Sequence, residues 1–398
     1  MSSALLSEVD GSNLGDVRLD RRLGKLVETL GKYPSHSIPA ATNKRADMEA
    51  AYRFFGNNKV RPESILQPHT RATLDRVRQS KMVLLVQDTT ELDLTRPSEQ
   101  VDGVGLMDSQ SRFGAFYHPM VAFNSEGLAL GTVWQKSWTR EKLGSDLSAS
   151  EGGRLRYRKP IEAKESYRWI EGLREARKVA QNCPDTTCVC VADSEADIYE
   201  VFSEPREFGS SSGSVDETEP CGQVHVLVRA KQGRSTLEQG DWLEAVRETP
   251  LRYTDDVAVS KRAEPKIAPK LARKRQKPRD ARFARVEVRA MSTTLRAPCR
   301  YQQKLAPVAI NLVLIEEAKS PDGSEPVSWL LATSLPIGTK EQIREVVNAY
   351  RQRWQIEVFF RTLKSGCRIE RRQFEKMTRV LNSAILSAKA FRNYSASF

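Results

Sequence analysis

The 398-residue sequence predicts an α/β fold, in which a mixed sheet follows a small helical region and is interrupted by a long β-rich segment. Three observations indicate this fold. Residues 14–78 carry helical periodicity, two later apolar runs each end in an aspartate, and a helical stretch follows roughly a hundred β-prone residues. The predicted domains are therefore 1–80, which is helical, and 81–398, which is α/β with a β-rich insertion at about 231–337.

Three helices are predicted before residue 80. Residues 14–31 repeat leucine and valine at helical spacing after Asp16, a candidate N-cap. The other two helices are predicted over about 45–55 and 62–78, and the last begins at a proline, which suits a first helical turn. The polar face of the first helix is basic, with Arg18, Arg21, Arg22 and Lys25. This basic face favours a DNA-binding module over a merely solvated helical bundle.

Short apolar runs predict the strands of the sheet. Residues 82–86 and 187–192 are continuous apolar runs, typical of strands buried on both faces, and they lead into Asp88 and Asp193. The other predicted elements are a hairpin at 115–123 and 128–136, helices at 162–179 and from 195 to 202, and a strand at 224–230. This order is that of the ribonuclease H-like fold, in which the first and fourth strands are neighbours. Both aspartates should converge there, and the next long helix should bring Glu357 to them.

The β-rich insertion separates that helix from the rest of the sheet. Strands are predicted at 283–288, 308–315 and 329–333. Before them, residues 261–282 form a basic run that is either a solvated loop or a strip that binds phosphates.

The helix predicted from near residue 340 carries four polar residues at offsets that share one face: Tyr350, Arg353, Glu357 and Lys364. A carboxylate there can hold a hard cation, while the other side chains can bind phosphate oxygens or stack on a base. A surface helix with mixed charges is the alternative interpretation.

Three carboxylates from separate elements suit a centre that binds two Mg²⁺ ions, with Mn²⁺ as a substitute. Two such ions roughly 4 Å apart can activate a hydroxyl group and stabilise the leaving oxygen of a phosphodiester. Simpler roles remain open, since Asp193 can cap the following helix and Asp88 can stabilise a turn.

Composition favours a polyanionic partner. Lysine and arginine number 63 against 51 acidic residues, which gives a net charge of +12. The sequence lacks the basic-then-apolar pattern of a secretory signal and any apolar run of membrane-spanning length. Six cysteines do not make a disulfide framework in a chain this long. We therefore expect a cytoplasmic protein with reduced thiols and no membrane partner.

Several segments resemble the cut-and-paste DDE transposases of the transposon five (IS-four) group. They are LGDVRLDRRL, AAYRFFGNNKV, VQDTTELDL, ADSEADIYEVF and the Tyr-x2-Arg-x3-Glu-x6-Lys pattern, and the resemblance extends from about residue 10 to 375. It implies that Asp88, Asp193 and Glu357 are the catalytic, metal-binding triad. It also implies Mg²⁺-dependent nicking, hairpin formation and strand transfer at terminal inverted repeats, on DNA of a bacterial nucleoid.

The resemblance implies DNA contacts as well. Arg353 and Lys364 would hold transposon-end phosphates, and Tyr350 would position the strand near the cut. Trp329 would stack on a flipped base, although an ordinary tryptophan of a strand core is the alternative. The other implied DNA-binding residues are Arg18, Arg22, Lys32, Tyr33, Arg53, Arg229 and Lys231.

Members of this group continue past the glutamate helix into a helical segment that pairs two subunits on two DNA ends. This sequence stops at Phe398, so we expect a shortened copy that forms a homodimer on paired ends only if those helices are dispensable. The alternative function is an inactive transposase that binds transposon ends and acts as an inhibitor. A nuclease of RNA–DNA hybrids is a weaker alternative, because the N-terminal basic region and the spacing of the Tyr-Arg-Glu-Lys pattern argue against it.

Overall fold

The computed structural model describes residues 5–96, 100–107, 111–140, 159–205, 223–238, 240–261, 279–299, 304–321 and 325–389. Most of the basic run at 261–282 lies outside these ranges, as do the residues after 389. None of the helices found within them is both long and apolar enough to cross a membrane.

The three helices predicted before residue 80 are confirmed with closely similar bounds, and a short helix at Ile38–Ala41 was not predicted. The Asp16 side chain caps the first helix by accepting a hydrogen bond from the N–H of Arg18 at 2.8 Å. The helices are α1 (Val17–Lys32), α2 (Ile38–Ala41), α3 (Arg45–Phe55), α4 (Pro62–Val77), α5 (Tyr167–Asn182), α6 (Tyr199–Ser203), α7 (Trp242–Arg247), α8 (Lys340–Gln352), α9 (Gln355–Arg361) and α10 (Met377–Ala388).

The strands include every predicted one, several of them longer than expected. They are β1 (Met82–Gln87), β2 (Thr90–Asp93), β3 (Gly105–Leu106), β4 (Phe113–Asn124), β5 (Ala129–Trp138), β6 (Thr187–Ala192), β7 (Val224–Ala230), β8 (Ser235–Thr236), β9 (Gly240–Asp241), β10 (Leu251–Val259), β11 (Arg282–Leu295), β12 (Val308–Glu317) and β13 (Ser328–Thr333).

Contacts divide the chain into two compact units. The first contains Met1–Ala192, Glu204–His225 and Arg351–Phe398, and the second contains Asp193–Ser203 and Val226–Tyr350. The helices before residue 80 therefore belong to the same unit as β1 to β6. The domain boundary near residue 80 and the insertion at about 231–337 were predicted from sequence patterns and not from contacts, and they stay predictions.

The sheet of the first unit has the predicted strand arrangement. β1 runs antiparallel to β4, with Leu84 opposite Phe123, and parallel to β6, with Leu84 opposite Val189. β5 continues the antiparallel part on the far edge of β4. Residues 83–86 are fully buried, as expected for a strand covered on both faces. The order β5-β4-β1-β6 is that of the ribonuclease H-like fold, so the predicted fold class is confirmed.

A buried polar cluster ties α4 to β5 and to the 3₁₀ turn at Ser7–Val9 within the first unit. His69 Nδ1 lies 2.6 Å from Glu8 Oε2, Arg76 Nη1 lies 3.0 Å from Glu8 Oε1, and the N–H of Thr132 donates to His69 Nε2 at 2.9 Å. Burial acts to raise the pKa of Glu8, but the hydrogen bonds and charges of His69 and Arg76 outweigh it and lower this pKa to about 2.

The second unit is a largely antiparallel sheet in the order β7-β13-β12-β11-β8-β9, with β10 paired to β11. β13 joins β7 with Ala332 opposite Val228, and β12 joins β13 with Val313 opposite Leu331. Alternate residues of β11 are buried, which is the pattern of a strand with one face on a core.

Candidate active site

Asp88 lies directly after β1, and only 8% of its surface is exposed. Its Oδ1 accepts a hydrogen bond from the N–H of Thr89 at 2.7 Å. Its Oδ2 accepts one from Arg353 Nη1 at 3.0 Å. A buried carboxylate is tolerated when it is hydrogen-bonded and its charge is compensated, and Arg353 provides that compensation.

The same guanidinium approaches Glu357. Arg353 Nη1 lies 4.0 Å from Glu357 Oε1, and the Glu357 side chain is 42% exposed, against 12% for Asp88. One cationic group therefore lies within reach of a buried and a half-exposed carboxylate. Two hard oxygen donors therefore meet one positive charge at this point.

The single helix predicted for Tyr350, Arg353, Glu357 and Lys364 is wrong. α8 ends at Gln352, Arg353 lies in a two-residue turn, and α9 begins at Gln355. After α9 the backbone forms a π-helical turn at Thr362–Gly366, which contains Lys364. A π turn closes its hydrogen bonds over one more residue than an α turn, so the side chains beyond it rotate out of the expected stripe.

Lys364, which lies within this turn, approaches an acid other than Glu357. Its Nζ lies 3.9 Å from Glu370 Oε1, and the same oxygen accepts the N–H of Asp93 at 2.9 Å. Both lysine and glutamate side chains are partly exposed. The role of Lys364 in binding phosphate stays a prediction.

Asp193 lies directly after β6, the parallel neighbour of β1, as predicted. Its side chain accepts the N–H of Glu195 at 2.8 Å and caps the 3₁₀ turn at Ser194–Ala196. This is the capping role that the sequence left open as an alternative. The convergence of Asp193 with the other two acids stays a prediction.

The donor chemistry of Asp88 and Glu357 fits a divalent ion, because Mg²⁺ prefers carboxylate oxygens and few protein ligands suffice for it. Over the described ranges, however, no three side chains of the His, Cys, Asp and Glu types are grouped so that they could hold one ion. In this structure the Arg353 guanidinium is the positive charge that lies beside both carboxylates.

Trp329 and Tyr350 contact each other in the second unit. Their ring centroids are 6.0 Å apart and the rings meet edge to face, at an interplanar angle of 60°. Tyr350 is buried, whereas Trp329 is half-buried. The Trp329 indole therefore packs against the Tyr350 ring, and part of its surface stays exposed.

Arg229 and Lys231 lie at the end of β7 and in the loop after it. Asp197, whose side chain is fully buried, accepts the N–H groups of Lys231 and Gln232 at 2.6 Å each, and Arg234 Nε at 3.1 Å. Asp197 is thus a structural residue that fixes this loop. Arg229 reaches Ser194 Oγ at 3.4 Å, and Lys231 is exposed.

The predicted N-terminal DNA contacts differ in their surroundings. Arg22 pairs with Asp47 at 3.2 Å, which offsets part of the basic face of α1. Lys32 lies over the Tyr33 ring, which also stacks on the His36 ring with the centroids 5.1 Å apart. Arg18 and Arg53 are exposed on α1 and α3.

Sequence reasoning missed Trp354, the residue after Arg353. It is 64% exposed, which is unusual for an indole, because tryptophan is on average highly buried. An exposed aromatic ring beside basic residues is a surface on which bases stack. The only sequence signal was a tryptophan beside basic residues. Its exposure could not be predicted from the sequence, because Trp354 lies in the turn between α8 and α9, where a continuous helix was expected.

Two protein-family models match separate parts of the chain. A model described as "Transposase DNA-binding" matches residues 1–60, which include α1 to α3. A model described as "Transposase DDE domain" matches residues 208–391, which include Glu357 but neither aspartate. Together the two matches take in more than half of the chain.

Among solved structures, the chain is similar to one described as a "Cryo-EM structure of piggyBac transposase synaptic complex with hairpin DNA". The identity is 11% and the TM-score is 0.36, and the match covers 100% of this chain but only 65% of that one. The family assignment therefore rests on the two family models, which agree with the residues that first indicated it. The chain therefore carries a transposase DNA-binding domain and a transposase DDE domain.

Proposed function

We propose that this chain cuts and joins DNA at transposon ends, by Mg²⁺-dependent nicking, hairpin formation and strand transfer. The observation that supports it most is the meeting of Asp88 and Glu357 at one cationic group, in a chain that two transposase family models match. Asp193, directly after the parallel neighbour of β1, is the third proposed ligand.

Divalent ions bound there would generate the attacking oxygen nucleophile and stabilise the leaving oxygen of the phosphodiester. The part of this chain is to hold the carboxylates in place and to align the DNA. Asp88 is buried, and its Oδ1 is held by the N–H of Thr89, which favours one orientation of the carboxylate. Arg353 would leave Asp88 for a phosphate oxygen when DNA arrives, since guanidinium groups bind phosphate well.

The DNA would be double-stranded transposon ends and target. We assign phosphate contacts to the exposed N-terminal cations, to Arg229, Lys231 and Lys364, and base stacking to Trp329 with Tyr350 behind it. A homodimer on paired ends, in the cytoplasm at the nucleoid, completes the proposal. A net charge of +12 favours such an assembly on a polyanion.

A second candidate is a chain that binds transposon ends without turnover. Two observations favour it: Asp88 is paired with Arg353, and Asp193 is engaged in a cap. In that case the protein would occupy ends and inhibit active copies.

The test is cleavage of a labelled transposon-end duplex by the 398-residue chain with Mg²⁺ and with EDTA, alongside a gel shift. We expect Mg²⁺-dependent nicks and hairpins, lost in Glu357→Gln while duplex binding is retained. The matched control is Glu345→Gln, which removes an exposed carboxylate on α8. Binding without cleavage by the unmutated chain would overturn the first proposal and support the second.

A further inference from the structure

A chain of polar side chains lies against the residues on either side of Asp88. Arg168, in the first turn of α5, donates from Nε to Thr89 Oγ1 at 2.9 Å. Thr89 Oγ1 lies 2.8 Å from His118 Nδ1, and His118 Nε2 lies 3.1 Å from Gln87 Oε1. Arg168, His118 and Gln87 are all at least nine-tenths buried. They join α5, β4 and the end of β1.

The direction of these hydrogen bonds follows from the Gln87 amide. Its Nε2 lies 3.4 Å from the carbonyl oxygen of Trp169 and 3.2 Å from Cys190 Sγ. A carbonyl can only accept, so the amide nitrogen faces it and the amide oxygen faces His118. His118 therefore carries its proton on Nε2, and its Nδ1 accepts from the Thr89 hydroxyl. Each group donates and accepts without conflict.

The residues around these hydrogen-bonded side chains pack closely against them. A Cβ on Gly172 of α5 would lie 2.0 Å from Gln87 Oε1, so the helix approaches β1 more closely than any other residue would permit. The His118 ring meets the Trp169 ring edge to face, with centroids 4.7 Å apart. A buried polar network that is fully satisfied is rigid, and it specifies one arrangement.

Thr89 connects this network to the acid. Its backbone N–H holds Asp88 Oδ1, while its hydroxyl is held by Arg168 and His118. We propose that Arg168, Thr89, His118 and Gln87, the Thr89 network, are positioning residues that orient the Asp88 carboxylate for a divalent ion. This inference rests on the proposed function. With Oδ1 fixed by Thr89, Oδ2 is the oxygen directed towards Arg353 and, in its place, the ion.

The test compares Thr89→Val, which keeps the shape but removes the hydroxyl, with Thr89→Ser, which keeps the hydroxyl. Mn²⁺ binding to the full chain is measured by electron paramagnetic resonance, and the Mg²⁺ concentration that half-saturates nicking is measured on the end duplex. Residues that orient metal ligands typically change metal affinity by about 10–100-fold. We expect that loss for Thr89→Val, with duplex binding unchanged but a lower melting temperature, because Arg168 Nε and His118 Nδ1 lose a buried partner. Metal binding is therefore measured well below the melting temperature, and Thr89→Ser should keep both metal dependence and melting temperature close to those of the unmutated chain.

A second variant, His118→Phe, removes both ring nitrogens from the network and should shift metal dependence in the same direction. Equal metal dependence in Thr89→Val and Thr89→Ser would overturn the positioning role, while Mg²⁺-dependent nicking by the unmutated chain would leave the proposed function standing. Equal losses in both, with lower melting temperatures, would trace the effect to disturbed packing, because Thr89→Ser keeps the hydroxyl, and would overturn the positioning role too. If the unmutated chain neither binds Mn²⁺ nor nicks, the proposed function itself fails.

Discussion

The guanidinium of Arg353 determines what Asp88 can bind. It lies 3.0 Å from a carboxylate oxygen in a site where only 14% of the arginine side chain and 12% of the aspartate side chain are exposed. A pair so little exposed is weakly screened by salt, and removing one partner leaves an uncompensated charge. The arginine is thus both a stabilising partner and a competitor for any cation that Asp88 could accept.

Arg353→Ala should therefore have two opposite effects. Without the competing guanidinium, Mn²⁺ should bind the free protein more tightly, while end-duplex affinity and cleavage should fall because a phosphate partner is lost. Mn²⁺ titration and a gel shift measure the two effects. Arg351→Ala is the matched control, since Arg351 is exposed and lies two residues away. Unchanged duplex binding and cleavage in Arg353→Ala would remove the phosphate role.

The sequence places single residues well but not their distant partners. The apolar runs locate Asp88 and Asp193 at strand ends, because a strand buried on both faces has a recognisable composition. The pairing of Asp88 with Arg353 joins residues far apart in the chain, and the Thr89 network depends on which nitrogen faces which oxygen. Local periodicity carries no information on either.

Among the elements, the close contact of α5 with β1 is the most demanding. Gly172 allows it, and the Gln87 side chain fills the space that a Cβ would need. The far end of a glutamine side chain is normally flexible, but here it is bonded to His118, Trp169 and Cys190. It therefore cannot move aside without breaking those contacts.

Gly172→Ala should lower the stability of the protein by about 1–3 kcal/mol, the usual cost of overpacking a core. Gly24→Ala is the matched control, because a Cβ at this position of α1 would meet nothing closer than Leu6 at 3.6 Å. That change should be neutral or stabilise by up to about 1 kcal/mol, through helix propensity. Urea unfolding of both variants checks the prediction, and equal stabilities would contradict it.

The predictable elements were those with a strong period. α1 shows regular apolar spacing and begins at the Asp16 cap, and α4 begins at a proline. Their predicted bounds, like those of α3, agree with the structure to within a few residues. β10 carries Arg252, Asp255 and Asp256 among its nine residues, so its charged composition hides a strand that pairs with β11. The break between α8 and α9 has no signal in the periodicity of the sequence, which continues through it.

At the scale of the molecule, the buried cluster of Glu8, His69 and Arg76 links the start of the chain to the first unit's sheet. The N–H of Thr132 donates to His69 Nε2, so the proton of His69 lies on Nδ1 and is shared with Glu8. Burial lowers the pKa of His69, although Glu8 partly offsets this. The folded state therefore favours an ionised Glu8 and a neutral His69.

This cluster predicts acid sensitivity. The folded pKa of Glu8 is about 2, below the ordinary value of 4.5, so its stabilisation is complete above about pH 4.5 and is lost as the pH falls towards 2. At 1.36 kcal/mol per pKa unit the loss is roughly 3 kcal/mol, and protonation of His69 acts in the same direction below pH 6.5. Urea unfolding between pH 6 and 3 should show a smaller pH dependence in Glu8→Gln. An unchanged pH dependence would contradict the assignment.

The π-helical turn at Thr362–Gly366 has a consequence for how related chains are compared. Spacing in a motif counts residues along the chain, whereas chemistry depends on the direction in which each side chain points. The helical intervals between Arg353, Glu357 and Lys364 in the sequence therefore do not give these side chains common surroundings: Arg353 lies beside Asp88 and Glu357, whereas Lys364 lies beside Glu370. A motif defined by intervals alone can join residues that the backbone directs to different partners.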